Sequence, residues 1–467
     1  MKMVAGITEK QDLTLAQLKT ELQLLTDSEE EKRVLVRGMV STVRQMGEVA
    51  FIILRKADGM VQCVCEKGMV WRVSPETQPG HMPEKKDAVF DPRRLREESA
   101  VEICGVLRAE QRAPQGLEIG METIRILSEP AEAMPVCISK GRLAASLETQ
   151  LNLRGIMLRH VKERAKFRIQ EGLVRGFRDF LHGQGFTEIH TPKIVARGAE
   201  GGANIFRLDY FGKKAELAQS PQLYKQTMVG VYDRVFEVGP VFRAEKHSTA
   251  RHLNEYTGLD FEMGYIDSFE EIMEMEAAML RYTMELLEKD YGPELTLLQV
   301  EVPGVKEIPQ VSFHEAKRLV SAKYGRSMRN PGDLEPEEEQ LIGRYFKEEK
   351  GSDFVFVTHY PSKKRPFYAM DDPEDPRVTL SFDLLFRGLE ITTGGQRIHD
   401  YRMLLDKMER RGMDPTDMES YLMIFRHGMP PHGGLGIGLE RLTMQLLGED
   451  NVRETAMFPR DLNRLEP

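Results

Sequence analysis

Asp383 and Glu390 flank an Arg387-Gly388 step in SFDLLFRGLEITTGGQRIH, and that step has the residues of a tight hairpin turn. Counting back from the turn pairs Leu385 with Glu390 and Asp383 with Thr392. The two acids become diagonal neighbours on one sheet face, and Thr393 falls on the other. Carboxylates so placed repel unless a cation lies between them, and oxygen-only ligands suit Mg2+ with phosphates completing its shell. Two solvent-facing acids on an exposed sheet would leave the same pattern.

Three other segments carry groups of the same kind. FEVGPVFRAEKHSTARHLNEYTGLDFEM reads as strand, loop, strand, with Arg243 and Glu245 on one face by two-residue alternation. The loop holds Lys246, His247, Ser248, Thr249, Arg251 and His252. A guanidinium beside such a loop suits a polyphosphate, because its fork matches phosphate oxygens; alone, a solvated hairpin fits as well. In GGLGIGLERLTMQLLG, Gly434, Gly436 and Gly438 leave one face of a strand without side chains. That face accepts a flat ring at close range, although tight strand packing explains it equally. Leu439, Leu442 and Leu446 follow at helical spacing, with Arg441 on the first turn. AELAQSPQLYKQ sets Gln219, Ser220, Gln222 and Lys225 at a strand-to-helix turn, where polar residues also serve as caps and a lysine is ordinarily solvated.

The elements that must hold these groups are legible from texture. Residues 1–32 form a polar, helix-prone extension in which LAQLKTELQLL has apolar positions at helical spacing. Residues 33–128 turn to short β-rich runs with signals such as Asp58-Gly59, the texture of a small barrel of the OB type. Residues 69–99 within it, rich in Pro and charge, read as an inserted loop. SEPAEAMPVCISKG supplies a linker at 129–142. From 143 to 467 helices alternate with mostly antiparallel strands. Phe167, Leu173, Val174, Phe177 and Leu181 mark a helix that Gly183 and Gly185 stop, with the strand FTEIHTP next.

The whole chain, 467 residues with 41% hydrophobic and 30% charged residues, has material for roughly two to four globular domains. No stretch approaches the roughly 18 apolar residues of a membrane helix, and MKMVAGITEKQDLT has no apolar run of signal-peptide length, so a cytoplasmic protein is expected. The net charge of -9 argues against non-specific coating of nucleic acid, but not against a shaped nucleic-acid partner. Cys63, Cys65, Cys104 and Cys137 lack CxxC spacing and are expected as buried small apolar residues.

In this order the segments resemble the signature motifs of class II aminoacyl-tRNA synthetases: GFTEIHTPKI, with Pro192, motif 1; FRAEKHSTARHLNE, motif 2; GLGIGLERL, motif 3. QSPQLYKQ, AEGGANIF, RGLEITTGGQR and the ending from FRHGMPPHGG to LNRLEP are similar to the archaeal-type aspartyl branch, from Val34 onward. The resemblance implies an α+β chain: an N-terminal OB-fold β-barrel that grips the anticodon, then an antiparallel six-stranded catalytic sheet flanked by helices. It also implies a homodimer joined through motif 1, and ATP with Mg2+ used to activate L-aspartate for transfer to tRNA(Asp). The large extra domain of the bacterial aspartyl type has no counterpart here.

Residue roles follow from the same resemblance. Arg243 would bridge the aspartate α-carboxylate and the ATP α-phosphate, and Arg441 would hold the far end of the nucleotide. Glu245, Arg251, His252, Leu253, Glu390, Gly438, Leu439 and Glu440 complete the ATP set. Asp383, Glu390 and Thr393 match metal positions, Thr393 standing where the family usually has Ser. Lys225 and Arg397 would take the aspartate side chain, with Gln222 in support, Thr393 nearby and Glu200 on a mobile lid. Asparagine would bring amide hydrogens against these donors, and the asparagine enzymes lack the lysine at 225.

In the barrel, Phe51 and Gln62 match positions that stack on and hydrogen-bond anticodon bases, with Arg44 and Glu118 as further matches; a core role for Phe51 fits its VAFIIL context as well. Members strict for tRNA(Asp) tend to carry Trp and Lys where this chain has Ser41 and Pro114. Pro near the second position is common in relaxed members that also charge tRNA(Asn) ahead of a tRNA-dependent amidotransferase. Two other enzymes share the catalytic fold: an asparaginyl-tRNA synthetase, and a tRNA-independent paralogue that makes asparagine. The paralogue lacks an anticodon domain, and the barrel-like residues 33 to 126 speak against it.

Overall fold

A computed structural model describes residues 12–25, 31–66, 70–71, 88–89, 91–196, 198, 204–246, 249–326 and 330–466. They divide into two compact units, Met1–Ala145 and Ser146–Pro467.

In the first unit, alternating apolar residues close a five-stranded barrel in the order Arg33–Met46, Val49–Lys56, Gly59–Cys65, Leu117–Ser128, Ala100–Ala109. Val36, Val40, Ile52, Leu54, Val61, Cys63, Ile103 and Ile119 fill it. The helix Leu15–Leu25 belongs to this core, because Leu15 and Leu18 are buried in the same cluster. A Cβ at Gly59 would lie 2.5 Å from a Leu15 methyl, and the φ of 150° at this position favours glycine where the helix docks. Most of the 69–99 segment lies outside the described residues. Its end is not a loose loop: Leu95 and Ser99 are buried, and Glu98 pairs with Arg55 at 2.8 Å. Burial of the cysteines holds for Cys63 and Cys65 only, since Cys104 is half-buried and Cys137 exposed. Strand alternation turns Cys104 away from the barrel interior, and Cys137 lies in the linker segment.

The second unit is built on an eight-stranded sheet. Six strands run antiparallel in the order Phe354–Thr358, Ser381–Phe386, Leu389–Arg397, His432–Gly438, Glu255–Gly264, Arg234–Phe242. Two short strands, Gln310–Ser312 and Thr187–Glu188, extend the edges in parallel, so the sheet is wider than the six strands expected. Helix Val161–Gly183 and helix Glu270–Asp290 cover one face. They approach closely because Gly172 and Gly176 face Leu287 and Thr283, where a Cβ would sit 2.5 to 2.7 Å away. Phe177, Leu181, Phe236, Phe261, Leu280, Leu384 and Leu435 form the core between helices and sheet. Helices Phe313–Tyr324 and Pro336–Lys350 cover one edge of the opposite face, and the rest of that face is left to carry chemistry. No helix of the described residues is long and apolar enough to cross a membrane.

Candidate active site

The hairpin turns at Arg387-Gly388, both with positive φ (48° and 77°), as its sequence requires. Leu385 faces Glu390, but a bulge follows: Leu384 pairs with Thr392 and Asp383 with Thr393, leaving Ile391 unmatched. The simple count therefore fails by one residue beyond Glu390. Thr393, expected off the acidic face, is on it, and its hydroxyl donates to Glu390 Oε1 at 3.0 Å. Thr392 points the other way and donates to the buried Glu276 at 2.6 Å.

A cavity of about 1150 Å³ opens over this face. That exceeds the roughly 300–1,000 Å³ of a small-ligand pocket and leaves room for a nucleotide beside an amino acid. Arg243, Glu245, Arg251, His252, Leu253, Glu390, Thr393, Gly438, Glu440 and Arg441 all line it. Arg243 lies just past the end of its strand rather than within it, held by its amide on Asn254 O (2.9 Å) and by Asn254 Nδ2 on its carbonyl (2.7 Å). Arg441 donates to Arg251 O (3.3 Å) and Glu390 O (3.1 Å), with Glu390 Oε2 3.8 Å away. Glu245 is 3.6 Å from His252. Leu439 is not in the wall: it turns into the core under the sheet. Glu440 is nearly buried, its two oxygens capping the amide of Thr257 at 3.1 Å, and burial pushes its carboxyl up to about 7. His247, Ser248 and Glu200 lie outside the described residues.

The bare glycine face is shorter than expected. At Gly434 a Cβ would meet Phe261 O at 2.1 Å and Glu262 Oε2 at 2.3 Å; at Gly436 it would meet Asp260 Oδ1 at 2.9 Å. Close strand packing and overlying carboxylates thus account for Gly434, whereas Gly436 and Gly438 reach the cavity.

The acids divide unequally. Glu390 keeps about a third of its side chain open to the cavity. Burial opposes its charge, but Arg441 and Arg365, with the Thr393 hydroxyl, outweigh that and hold it below the ordinary value. Asp383 is 6% exposed and stands behind the wall, its Oδ1 2.7 Å from Arg365. Burial pushes it up to about 6, against the pull of Arg365. Glu339, from the helix Pro336–Lys350, forms an ion pair with Arg251 and accepts from the Glu390 amide at 3.3 Å; burial, then Glu390, push it up to about 7.

At the other end Lys225 is no solvated helix lysine. It is 1% exposed, with Nζ 2.7 Å from Leu435 O, 3.0 Å from Asp260 Oδ1 and 3.3 Å from Glu262 Oε2. Arg397 donates to Glu262 Oε1 (2.8 Å), Gly434 O (2.8 Å) and Gln222 Oε1 (3.4 Å). Burial raises the Asp260 carboxyl despite Lys225. It also opposes charge on Glu262, yet Arg397 and Lys225 prevail and keep Glu262 below its usual value. Gln222 Nε2 and Gln219 Oε1 are buried without a partner among the described residues, and both residues line the cavity. Orphaned groups of this kind are what an amino-acid ligand would satisfy.

Sequence reasoning missed Asp260, Glu262, Glu339, Glu276 and Arg365. The first two left a signal, acids two apart in the otherwise apolar strand GLDFEMG. The others left none, because they reach the site from elements remote in sequence.

In the barrel, cross-strand pairs align Arg44 with Phe51, Phe51 with Val64 and Gln62 with Glu118. Gln62 Nε2 donates to Glu118 Oε2 at 3.0 Å. Phe51 is half-buried and Arg44 exposed, so the four share a surface rather than the core. Ser41 is buried at a bulge in the first strand, and Pro114 opens the short turn Pro114–Gly116.

Comparison with known proteins agrees with this geometry. Residues 146–462 match the family described as tRNA synthetases class II (D, K and N), and residues 34–127 match the OB-fold nucleic acid binding domain. The chain is 46% identical over 456 residues to a Deinococcus radiodurans protein named Aspartate--tRNA(Asp/Asn) ligase, covering 96% of this chain and 99% of that one. It is 38% identical to a Pyrococcus furiosus protein named Aspartate--tRNA(Asp) ligase, covering 95% and 98%. The structure of asparaginyl-tRNA synthetase from Pyrococcus horikoshii with asparaginyl-adenylate aligns with a TM-score of 0.84 at 31% identity, covering 98% and 99%. With an OB-fold barrel ahead of its catalytic sheet, the chain belongs to the class II tRNA synthetases of the D, K and N group.

Proposed function

We propose that this protein is an aspartate–tRNA ligase that forms aspartyl-adenylate from L-aspartate and ATP and transfers the aspartyl group to tRNA(Asp) and tRNA(Asn). The observation that carries the reading is the buried Lys225–Arg397 pair at the closed end of the cavity, about which Asp260 and Gln222 also converge. Two cations suit a side-chain carboxylate, and the Asp260 carboxylate suits the α-ammonium group. Asparagine would place amide hydrogens against cationic donors.

Arg243 lines the same cavity as Lys225, Arg397 and Arg441, and would meet both the α-carboxylate and the α-phosphate. Attack of that carboxylate on the α-phosphorus expels pyrophosphate, and the ribose 3'-hydroxyl of the tRNA then takes the aspartyl group from the mixed anhydride. No covalent enzyme intermediate is needed; positioning and charge neutralisation supply the catalysis. Glu245, Arg251, His252, Leu253 and the Gly436–Gly438 floor bind the nucleotide.

Mg2+ fits the oxygen donors Glu390 and Thr393, with Asp383 behind them. Among the described residues no group of three or more His, Cys, Asp or Glu forms a ready cage, which suits an ion that draws its other ligands from phosphate and water. When bound it would neutralise charge on the polyphosphate.

Arg44, Phe51, Gln62 and Glu118 receive the anticodon, and Pro114 in place of lysine favours relaxed tRNA choice, as does the Asp/Asn in the name of the Deinococcus relative. We place the enzyme in the cytoplasm as a homodimer joined around Pro192, upstream of a tRNA-dependent amidotransferase. Aminoacylation assays with aspartate and asparagine on purified tRNA(Asp) and tRNA(Asn) test the reading. Aspartate should charge both tRNAs and asparagine neither; charging with asparagine would reassign the enzyme, and failure on tRNA(Asn) would make it strict.

A further inference from the structure

Arg365 is a buried cation that the reaction just described does not use. It follows the short turn Ser362–Lys364, and its side chain is 12% exposed. The guanidinium lies 4.0 Å over the Tyr360 ring, Nε donates to Ser381 Oγ at 3.1 Å, and Nη2 donates to Asp383 Oδ1 at 2.7 Å. Ser381 is itself braced by Thr379 Oγ1 at 2.8 Å, and that hydroxyl donates to Tyr360 O at 3.1 Å. The ring, the serine and the carboxylate thus fix the plane of the guanidinium. Arg365 nonetheless forms part of the cavity wall, whereas Asp383 does not.

Glu390 at the cavity and Asp383 just behind it would, without compensation, repel an incoming polyphosphate and attract a lone divalent ion. Arg365 cancels that field from a fixed position, and a planar fork suits phosphate oxygens. Resting on the ATP-binding reading of this cavity, we infer that Arg365 is the resident counter-ion of Asp383, as Arg441 is of Glu390, and a contact for the polyphosphate. Before nucleotide arrives it offsets the field of the acids from within hydrogen-bond range of Asp383. With metal and nucleotide bound, the guanidinium would be free to meet phosphate.

This assignment makes two bindings move in opposite directions when Arg365 is neutralised, which loss of a structural peg would not do. The full chain carrying Arg365→Gln or Arg365→Lys is compared with wild type by Mn2+ binding without nucleotide, read by electron paramagnetic resonance, and by calorimetric titration of MgATP. In Arg365→Gln, Mn2+ alone should bind roughly tenfold tighter and MgATP roughly tenfold weaker, for a unit charge removed at hydrogen-bond range in a partly solvated site. Arg365→Lys, which keeps the charge and loses the fork, should hold Mn2+ affinity within about twofold and still weaken MgATP. Parallel weakening of both ligands in Arg365→Gln, or no change in either, overturns the inference. If Arg365→Gln does not fold, unchanged MgATP affinity in Arg365→Lys overturns it. Neither measurement uses aspartate or tRNA, so absence of aspartate charging by the wild type would overturn the proposed ligase activity without deciding the role of Arg365.

Discussion

Replacing Lys225 by Met removes one charge from a closed group of four. Lys225 and Arg397 balance Asp260 and Glu262 in charge, and all four side chains are buried. The variant leaves a buried excess of one negative charge, and breaking a buried pair in this way costs about 3–5 kcal/mol. Asp260 is the group that responds, because burial already raises its carboxyl and Lys225 is the cation that restrains it. Without Lys225 it stays protonated to higher pH. A group whose folded pKa exceeds its unfolded value stabilises the fold at low pH, below about 4 for an aspartate, and that stability drains away as pH rises through the folded value. The deficit of Lys225→Met relative to wild type should therefore be small at pH 5 and approach its full size at pH 8. Denaturant unfolding followed by far-UV circular dichroism at the two pH values measures this. In parallel, loss of one donor to the substrate carboxylate, worth about 2–5 kcal/mol, should raise the aspartate KM in ATP–pyrophosphate exchange by roughly 30-fold or more. A deficit that is equal at pH 5 and pH 8, or an aspartate KM within threefold of wild type, would refute this account of the closed end.

Arg243→Ala should abolish aspartate-dependent ATP–pyrophosphate exchange, a loss on the order of a thousandfold or more from a group that neutralises transition-state charge; near-normal exchange removes Arg243 from the chemistry. Phe51→Ala should leave that exchange unchanged while weakening tRNA binding by about 1–3 kcal/mol in filter-binding assays, and equal tRNA affinity would return Phe51 to a packing role. Glu276 is pushed up to about 8 by burial, so wild type should lose stability steadily from about pH 4.5 to pH 8. Glu276→Gln should flatten that slope by up to a few kcal/mol in pH-resolved denaturation; an unaltered slope would show that Glu276 does not bind the proton.

Much of the site was legible because its local grammar is strong. Arg387-Gly388 reads as a tight turn and is one, the short strand runs of 33–128 read as a small barrel and close one, and the motif residues Arg243, Glu390 and Arg441 line one cavity. Two-residue periodicity failed where one extra residue interrupted it, at Ile391, and so Thr393 was put on the wrong face. The glycine run promised an open floor along its whole length, but the acids of the neighbouring strand cover it at Gly434. Asp260 and Glu262 read as ordinary strand acids until tertiary contact gave them Lys225 and Arg397 as partners. Arg365 and Glu339 reach the site from segments with no periodic relation to it, and only the folded sheet relates them.

The bulge at Ile391 also changes which residues of one strand share a face. Upstream of it Glu390 keeps step with Leu385, and downstream Thr393 keeps step with both Asp383 and Gly436. The extra residue is absorbed at Ile391, so Glu390 and Thr393, three apart in sequence, share one face in hydrogen-bond contact while the pairing with the glycine strand stays in register.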